Sequence, residues 1–243
     1  MTLRGLIAKG SWILLVPLVT LMYGPLNHDN GNVHILVTYL DRSIPFSRFF
    51  VVPYVAWYGL IFVVLVWYMR INHRLYFSAL ISIILGLLAS FATFSVFQTT
   101  VPRPVIPGQD AFSQLTRIIY RLDNSYNAFP SIHVMTSYII FLGSERAKAH
   151  SRKIPLLIQG SVVLIILSTL FLKQHTLLDV TGGIILGGTL FKTTEAILGL
   201  INKGNITSAR YTTNINVQKR NVLDLTGTLP KLSSGDRKGQ YVS

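Results

Sequence analysis

Long apolar stretches alternate with short polar ones through most of this chain. Phe49 to Met69, Leu75 to Phe97 and Ile154 to Leu172 contain no charged residue, and each covers the roughly 20 residues that a helix needs to cross hydrocarbon about 30 Å thick. Three further runs are less uniform. Ser11 to Leu26 is shorter and carries Pro17, Pro130 to Ser144 is short with a histidine near its start, and Thr176 to Leu200 contains Asp179, Lys192 and Glu195. Together the six runs predict an all-α integral membrane protein with six transmembrane helices. The first run follows Arg4 and Lys9 as a secretory signal would, but no small-residue cleavage site of the A-x-A type follows it, so it reads as a retained helix.

The polar connections predict further structure. Residues 27 to 48, with Asp41, Arg42, Pro45 and Arg48, read as an interfacial segment. The connection from Arg70 to Arg74 is tight, so the second and third spans form an antiparallel hairpin. The longest loop, Gln98 to Phe129, holds Pro102, Pro104, Pro107 and Gly108. Within it Phe112, Leu115, Ile118, Ile119 and Leu122 recur at helical spacing, with Arg117 and Arg121 four apart, which predicts a short amphipathic helix lying on the membrane. In the last span Gly183 and Gly187 make a small-xxx-small step for close helix packing. The chain thus reads as a membrane domain over residues 1–202, followed by a basic, flexible tail over 203–243. His28, His34 and His150 fall in polar connections and read as solvated residues.

Composition agrees with a membrane protein, since half the residues are hydrophobic and only 13% are charged. With no cysteine, the chain has no disulfide and no thiolate nucleophile or metal ligand. A net charge of +13 is a value that nucleic-acid binding can also produce. The distribution argues otherwise: with six spans and the N-terminus inside, sixteen of the 22 lysines and arginines fall on the inner side. The positive-inside rule then puts both termini in the cytoplasm of a multi-pass cell-membrane protein. The basic inner loops contact anionic lipid, and no nucleic-acid partner is expected.

Candidate chemistry sits at the ends of the apolar runs. Arg103 follows the third, His133 opens the fourth, and His175 lies between the fifth and sixth, so topological parity puts all three on one side, extracytoplasmic if the N-terminus is inside. His175 and Asp179 are four apart, within side-chain reach on a helix. A carboxylate there can accept one imidazole N–H and leave the other nitrogen free to attack phosphorus. Within an apolar helix Asp179 costs roughly 3 kcal/mol on insertion scales, which makes it a functional candidate, with a structural ion pair as the plainer alternative. Ser131 stands at a helix N-cap position after Pro130, where first-turn amides can receive an anionic phosphate. His133 projects from that turn and can protonate a leaving oxygen. Arg103, stiffened by Pro102 and Pro104, offers a planar fork for phosphate oxygens, or else snorkels at the interface. Lys173 is a second candidate phosphate contact.

These residues resemble the type 2 phosphatidic acid phosphatase superfamily, which includes bacterial lipid-phosphate phosphatases and fungal-type inositol phosphorylceramide synthases. The resemblance spans roughly residues 50 to 190 and rests on Arg103-Pro104, Pro130-Ser131-Ile132-His133 and His175 to Asp179. It implies a six-helix core in which His175 becomes phosphohistidine, Asp179 orients it, His133 is the general acid, and Arg103 and Ser131 hold phosphate, without metal or other cofactor. Phosphatase members also carry a lysine seven residues before the motif arginine and an arginine six before the nucleophile. Here those positions are Val96 and Thr169, and the surrounding segments look more like the inositol phosphorylceramide synthase branch.

The resulting expectation is a membrane lipid-phosphate phosphatase that releases phosphate from a lipid phosphomonoester or pyrophosphate. One alternative is a lipid phosphotransferase, in which an alcohol replaces water. A second is a transporter or non-catalytic membrane protein using His175 and Asp179 as a proton relay. No matching pair of broken helices in two halves speaks for transport.

Overall fold

A computed structural model describes residues 10–226 apart from 149 and 151, and of residues 203–226 the backbone alone. Arg4, Lys9 and residues 227–243, which contribute to the charge asymmetry read from the sequence, lie outside them. The chain divides into a unit ending at Leu198 and a second beginning at Gly199. In the second, helical backbone continues through the basic segment as far as Thr226.

The first unit is helical apart from a small parallel pair of strands. Helix α1 (Ser11–Leu26) is a composite, with 3₁₀ turns at Ser11–Leu14 and Leu21–Leu26 flanking an α-helical Leu15–Thr20. After strand β1 (Val33–Ile35) comes α2 (Tyr39–Ser43), closed at its start by a capping box between Thr38 and Asp41. Helices α3 (Val51–Ile71) and α4 (His73–Val96) form the expected hairpin with Asn72 alone between them. Asn72 is extended, and its side chain accepts from the Leu75 N–H at 3.1 Å, so one residue both ends α3 and caps α4. Strand β2 (Gln98–Thr100) then pairs with β1, with Val33 opposite Gln98. This pairing ties the polar segment after α1 to the loop that carries Arg103.

Helix α5 (Ala111–Leu122) is capped by Asp110, which accepts from the Phe112 and Ser113 amides. Leu115 and Ile119 pack against buried Val51, Tyr54 and Leu172, whereas Phe112, Ile118 and Leu122 are exposed. Helix α6 (Ile132–Ala147) sits at the centre, between α3, α4 and α7 (Lys153–Phe171). The Tyr68 hydroxyl donates to the Ile140 carbonyl at 2.5 Å and the Trp57 indole to Thr136 Oγ1 at 2.9 Å, so α3 is fixed to α6 by polar contacts within an apolar interior.

Helix α8 (Leu177–Thr226) begins the last run. A Cβ on Gly183 would come within 2.8 Å of the Ser131 carbonyl oxygen, and one on Gly187 within 2.7 Å of that of Met135. The small-xxx-small step therefore lets the α8 backbone lie directly on α6. Glu195 accepts a two-pronged contact from Arg146, at 2.9 and 3.0 Å, which pairs one of the charges carried by the last run.

Four segments are long and apolar enough to cross a membrane: Arg48–Ile71, His73–Val96, Lys153–Phe171 and Leu177–Asn202. Ser11–Leu26 is a shorter apolar helix, and α6 has 16 residues.

Candidate active site

The site forms where the loops before α6 and α8 meet. Thr176 and Asp179 make a reciprocal cap at the start of α8, with the Thr176 N–H donating to Asp179 Oδ2 at 2.6 Å and the Asp179 N–H to Thr176 Oγ1 at 3.3 Å. His175 therefore stands just ahead of the helix, not on one of its turns. Its amide and that of Gln174 both donate to the Thr169 carbonyl, which anchors the tight turn out of α7. Lys173, in that turn, has φ 53°, the left-handed conformation.

His175 Nδ1 lies 3.0 Å from the Ala128 carbonyl oxygen and 3.7 Å from Asp179 Oδ2. A carbonyl can only accept, so Nδ1 carries the proton and Nε2 keeps its lone pair. The hydrogen bond expected from Asp179 thus belongs to Ala128, and the carboxylate stands behind it as a charge. Asp179 Oδ1 is buried without a hydrogen-bond partner among the described residues. Positive charge on the ring would meet that carboxylate at 3.7 Å.

His133 is in the first turn of α6, with its ring centroid 5.7 Å from that of His175. Tyr54 and Trp57 of α3 hold it by ring contacts at 4.6 and 4.2 Å. Its Nε2 is buried and has no hydrogen-bond partner among the described residues. Ser131 is the N-cap of α6: its Oγ accepts from the Val134 N–H at 3.3 Å, and its own N–H donates to the Asp179 carbonyl at 3.1 Å. The starts of α6 and α8, which bear the two histidines, are thereby joined backbone to backbone.

Arg103 reaches the site with much of its fork already engaged. Nη1 donates to the Tyr120 and Asp123 carbonyls at 3.0 and 2.7 Å, Nη2 donates to Gln174 Oε1, and the guanidinium lies 4.3 Å over the Tyr120 ring. Of five donors, the Nε–H and one Nη2–H make no hydrogen bond among the described residues, and Nε is sealed from solvent. Lys173 is directed elsewhere: its ammonium donates to the Asp41 and Ile44 carbonyls at 2.7 and 2.5 Å. Burial lowers its pKa from the ordinary lysine value. The lysine expected to contact phosphate is thus tied to the α2 segment, because the left-handed turn that presents His175 points its neighbour outward.

Arg103, His133 and His175 line one cavity of about 560 Å³. Its other end is apolar, walled by Val16 and Leu21 of α1, Ile61 and Phe62 of α3, and Leu87 of α4. Ser131, Asp179 and Lys173 are not among the lining residues. A model of the PAP2 superfamily matches residues 32–193.

The chain belongs to the PAP2 superfamily. No curated protein and no solved structure matches it. Membership in the PAP2 superfamily suggests phosphatase- or phosphotransferase-type chemistry in a membrane protein. The two positions where phosphatase members of the superfamily carry cations are away from the cavity: Val96 is 82% exposed, and Thr169 is fully buried with its hydroxyl donating to the Ile166 carbonyl at 2.7 Å. Arg117 does not replace them, since it donates to the Ile106 and Gly108 carbonyls. Among the described lining residues, Arg103 is the one cation and Asp123 the one carboxylate.

Several participants were not evident from sequence. Gln174 holds Arg103, the Ala128 carbonyl fixes the His175 tautomer, and Asp123 faces the cavity. Asp41 is buried, and its Oδ1 accepts from the Leu177 N–H at 2.7 Å, so it secures the start of α8 beside the nucleophile candidate. Its sequence signal is the Thr-x-x-Asp spacing from Thr38, a helix-start pattern. The Ala128 carbonyl has no sequence signal, because any residue supplies one.

Proposed function

We propose that this chain is a membrane lipid-phosphate phosphatase acting through a phosphohistidine at His175. The observation that carries the reading is the pair of imidazoles 5.7 Å apart beside Arg103, in a cavity whose far wall is apolar. One phosphoryl group can touch both rings at that separation. The His175 Nε2 lone pair attacks phosphorus while His133 protonates the leaving oxygen, and the free Arg103 donors stabilise the equatorial charge. Water then attacks the phosphohistidine, His133 takes the proton, and inorganic phosphate leaves. Asp179 stabilises the phosphorylated ring, and the Ser131 hydroxyl caps the helix that carries His133. The apolar wall suits the chain of a lipid phosphomonoester or pyrophosphate. Arginine and two imidazoles supply the charge and protons for these steps, so the reaction needs no divalent metal.

The proposed topology has six spans, with α1 and α6 crossing as well, both termini in the cytoplasm and the site on the outer face. A cysteine placed by Gln109→Cys should react with an impermeant thiol reagent in intact cells, and one placed by Ser233→Cys only after permeabilisation. The reverse pattern would move the site to the cytoplasmic leaflet.

A second reading, lipid phosphotransfer to an alcohol, is favoured by the single cation and the Asp123 carboxylate in the cavity. That balance suits a singly charged phosphodiester better than a doubly charged monoester. The test follows the phosphorus label of phosphatidate, and separately of a labelled phosphodiester lipid, on purified protein with and without a polyol or lipid-alcohol acceptor different from the donor's own alcohol, each with and without chelator. Label appearing mainly on the acceptor would replace hydrolysis by transfer, and loss of turnover with chelator would refute the metal-independent mechanism.

A further inference from the structure

Asp123 is an unusual wall for a phosphate cavity. A carboxylate repels phosphate, yet this one is built into place: Oδ1 accepts from the Tyr23 hydroxyl at 2.7 Å and from Asn27 Nδ2 at 3.5 Å. Its backbone is fixed as well, since its carbonyl accepts from Arg103, and the neighbouring Asn124 donates to the Asn27 carbonyl at 2.8 Å. Tyr23 and Asn27 belong to the end of α1 and the residue after it, so the carboxylate also closes the cavity wall between α1 and α5. Its second oxygen, Oδ2, makes no hydrogen bond among the described residues and is not sealed from solvent, while Asp123 as a whole lines the cavity. Burial raises the Asp123 pKa above the ordinary carboxyl value, partly offset by the Tyr23 hydrogen bond and the Arg103 charge. Oδ2 is thus an acceptor open to the cavity, free to take a donor from a ligand that displaces water there.

We propose that Asp123 Oδ2 is a recognition site for an alcohol hydroxyl, carried by the lipid head group or by the alcohol that receives the phosphoryl group. The neutral hydroxyl is preferred over an ammonium because Arg103 is bonded to the same residue, and a second cation there would be repelled. A hydroxyl donates one hydrogen bond to Oδ2 and adds no charge beside either Arg103 or the phosphate. The assignment rests on reading the cavity as the lipid phosphoester site, and it deepens that reading by naming a feature of the ligand.

The test uses equilibrium binding, so it does not depend on turnover. Full-length protein in detergent is titrated with two lipid pairs, following Trp57 emission in the cavity and using Trp57→Phe as the blank. The head-group pair is phosphatidylglycerol and phosphatidylpropanol; the acceptor pair is diacylglycerol and its O-methyl ether. Wild type should bind the hydroxylated member about tenfold more tightly in at least one pair, the usual worth of one charge-assisted hydrogen bond. The pair that shows the preference identifies the source of the hydroxyl. Asp123→Asn, and independently Asp123→Ala, should bring that preference to within about twofold. Equal affinities in both wild-type pairs, or a preference that survives either substitution, overturns the proposal. If neither variant folds, equal affinities in both wild-type pairs still overturn the proposal. A missing phosphohistidine at His175 would sink the catalytic reading and leave this result standing, while a phosphohistidine without hydroxyl preference would sink only the Asp123 assignment.

Discussion

Gly183→Ala tests whether the α6–α8 contact positions the two histidines. The added Cβ would stand 2.8 Å from the Ser131 carbonyl oxygen, 3.0 Å from Val134 Cβ and 3.1 Å from the Met135 amide nitrogen. Ordinary contact begins at 3.4 Å, so α8 would have to retreat by roughly half an ångström, an overpacking that costs about 1–3 kcal/mol. The Ser131 oxygen cannot move aside easily, because it accepts the Met135 N–H at 2.9 Å as the first bond of α6. Retreat would also stretch the bond from the Ser131 N–H to the Asp179 carbonyl and separate His133 from His175. Displacement of about 1 Å at a reacting centre can cost roughly 10²-fold in rate, so half that should cost about tenfold. Gly160→Ala, on α7 with nothing within 4 Å of the added atom, is the control. Thermal unfolding in detergent and single-turnover phosphate release should separate the two variants. If Gly183→Ala matches Gly160→Ala in both, the close helix contact does not set the site geometry.

Three further outcomes follow from the same structure. His133→Ala should slow turnover by about 10² to 10⁴, the worth of a general acid, and the loss should shrink for substrates with better leaving groups; a uniform loss would argue for a packing role among Tyr54 and Trp57. Lys173→Met should lower the unfolding temperature while leaving vanadate inhibition within about threefold, whereas Arg103→Lys should weaken vanadate markedly, because only the arginine faces the cavity; the opposite ranking would restore Lys173 as a phosphate contact. Because burial raises the Asp123 pKa in the folded state, its ionisation opposes folding as pH rises from the ordinary carboxyl range, about 3.9, through the raised value. Asp123→Asn should therefore gain unfolding temperature over wild type on going from pH 4 to pH 8, and a constant difference would contradict that sign.

The helices and the motif residues could be read from sequence because each has a local physical signature. Charge-free runs marked three of the four segments long and apolar enough to cross a membrane, Ser131 after Pro130 marked a helix start, and Gly183 with Gly187 marked a close contact. What could not be read depends on which backbone meets which side chain across the fold. His175 and Asp179 suggested a direct hydrogen bond because four residues make one face of a helix. The helix in fact begins after His175, Asp179 is taken up in the Thr176 cap, and a carbonyl from the α6 entrance accepts the imidazole N–H. Lys173 suggested a phosphate contact because it is two residues from His175, but a left-handed turn sends it to Asp41 and Ile44. Arg103 was evident as a cation, yet not that Gln174 and Tyr120 would hold it. Asp123 was lost among loop residues because its partner Tyr23 is 100 positions away.

The proposed mechanism turns on bond formation between His175 Nε2 and phosphorus. The direct measurement is mass spectrometry of protein mixed with phosphorus-labelled phosphatidate, quenched in alkali and digested, because phosphohistidine survives base and is lost in acid. One base-stable, acid-labile phosphate is expected on the peptide containing His175, present in His133→Ala and absent in His175→Ala. Label on another residue, or full turnover by His175→Ala, would contradict it.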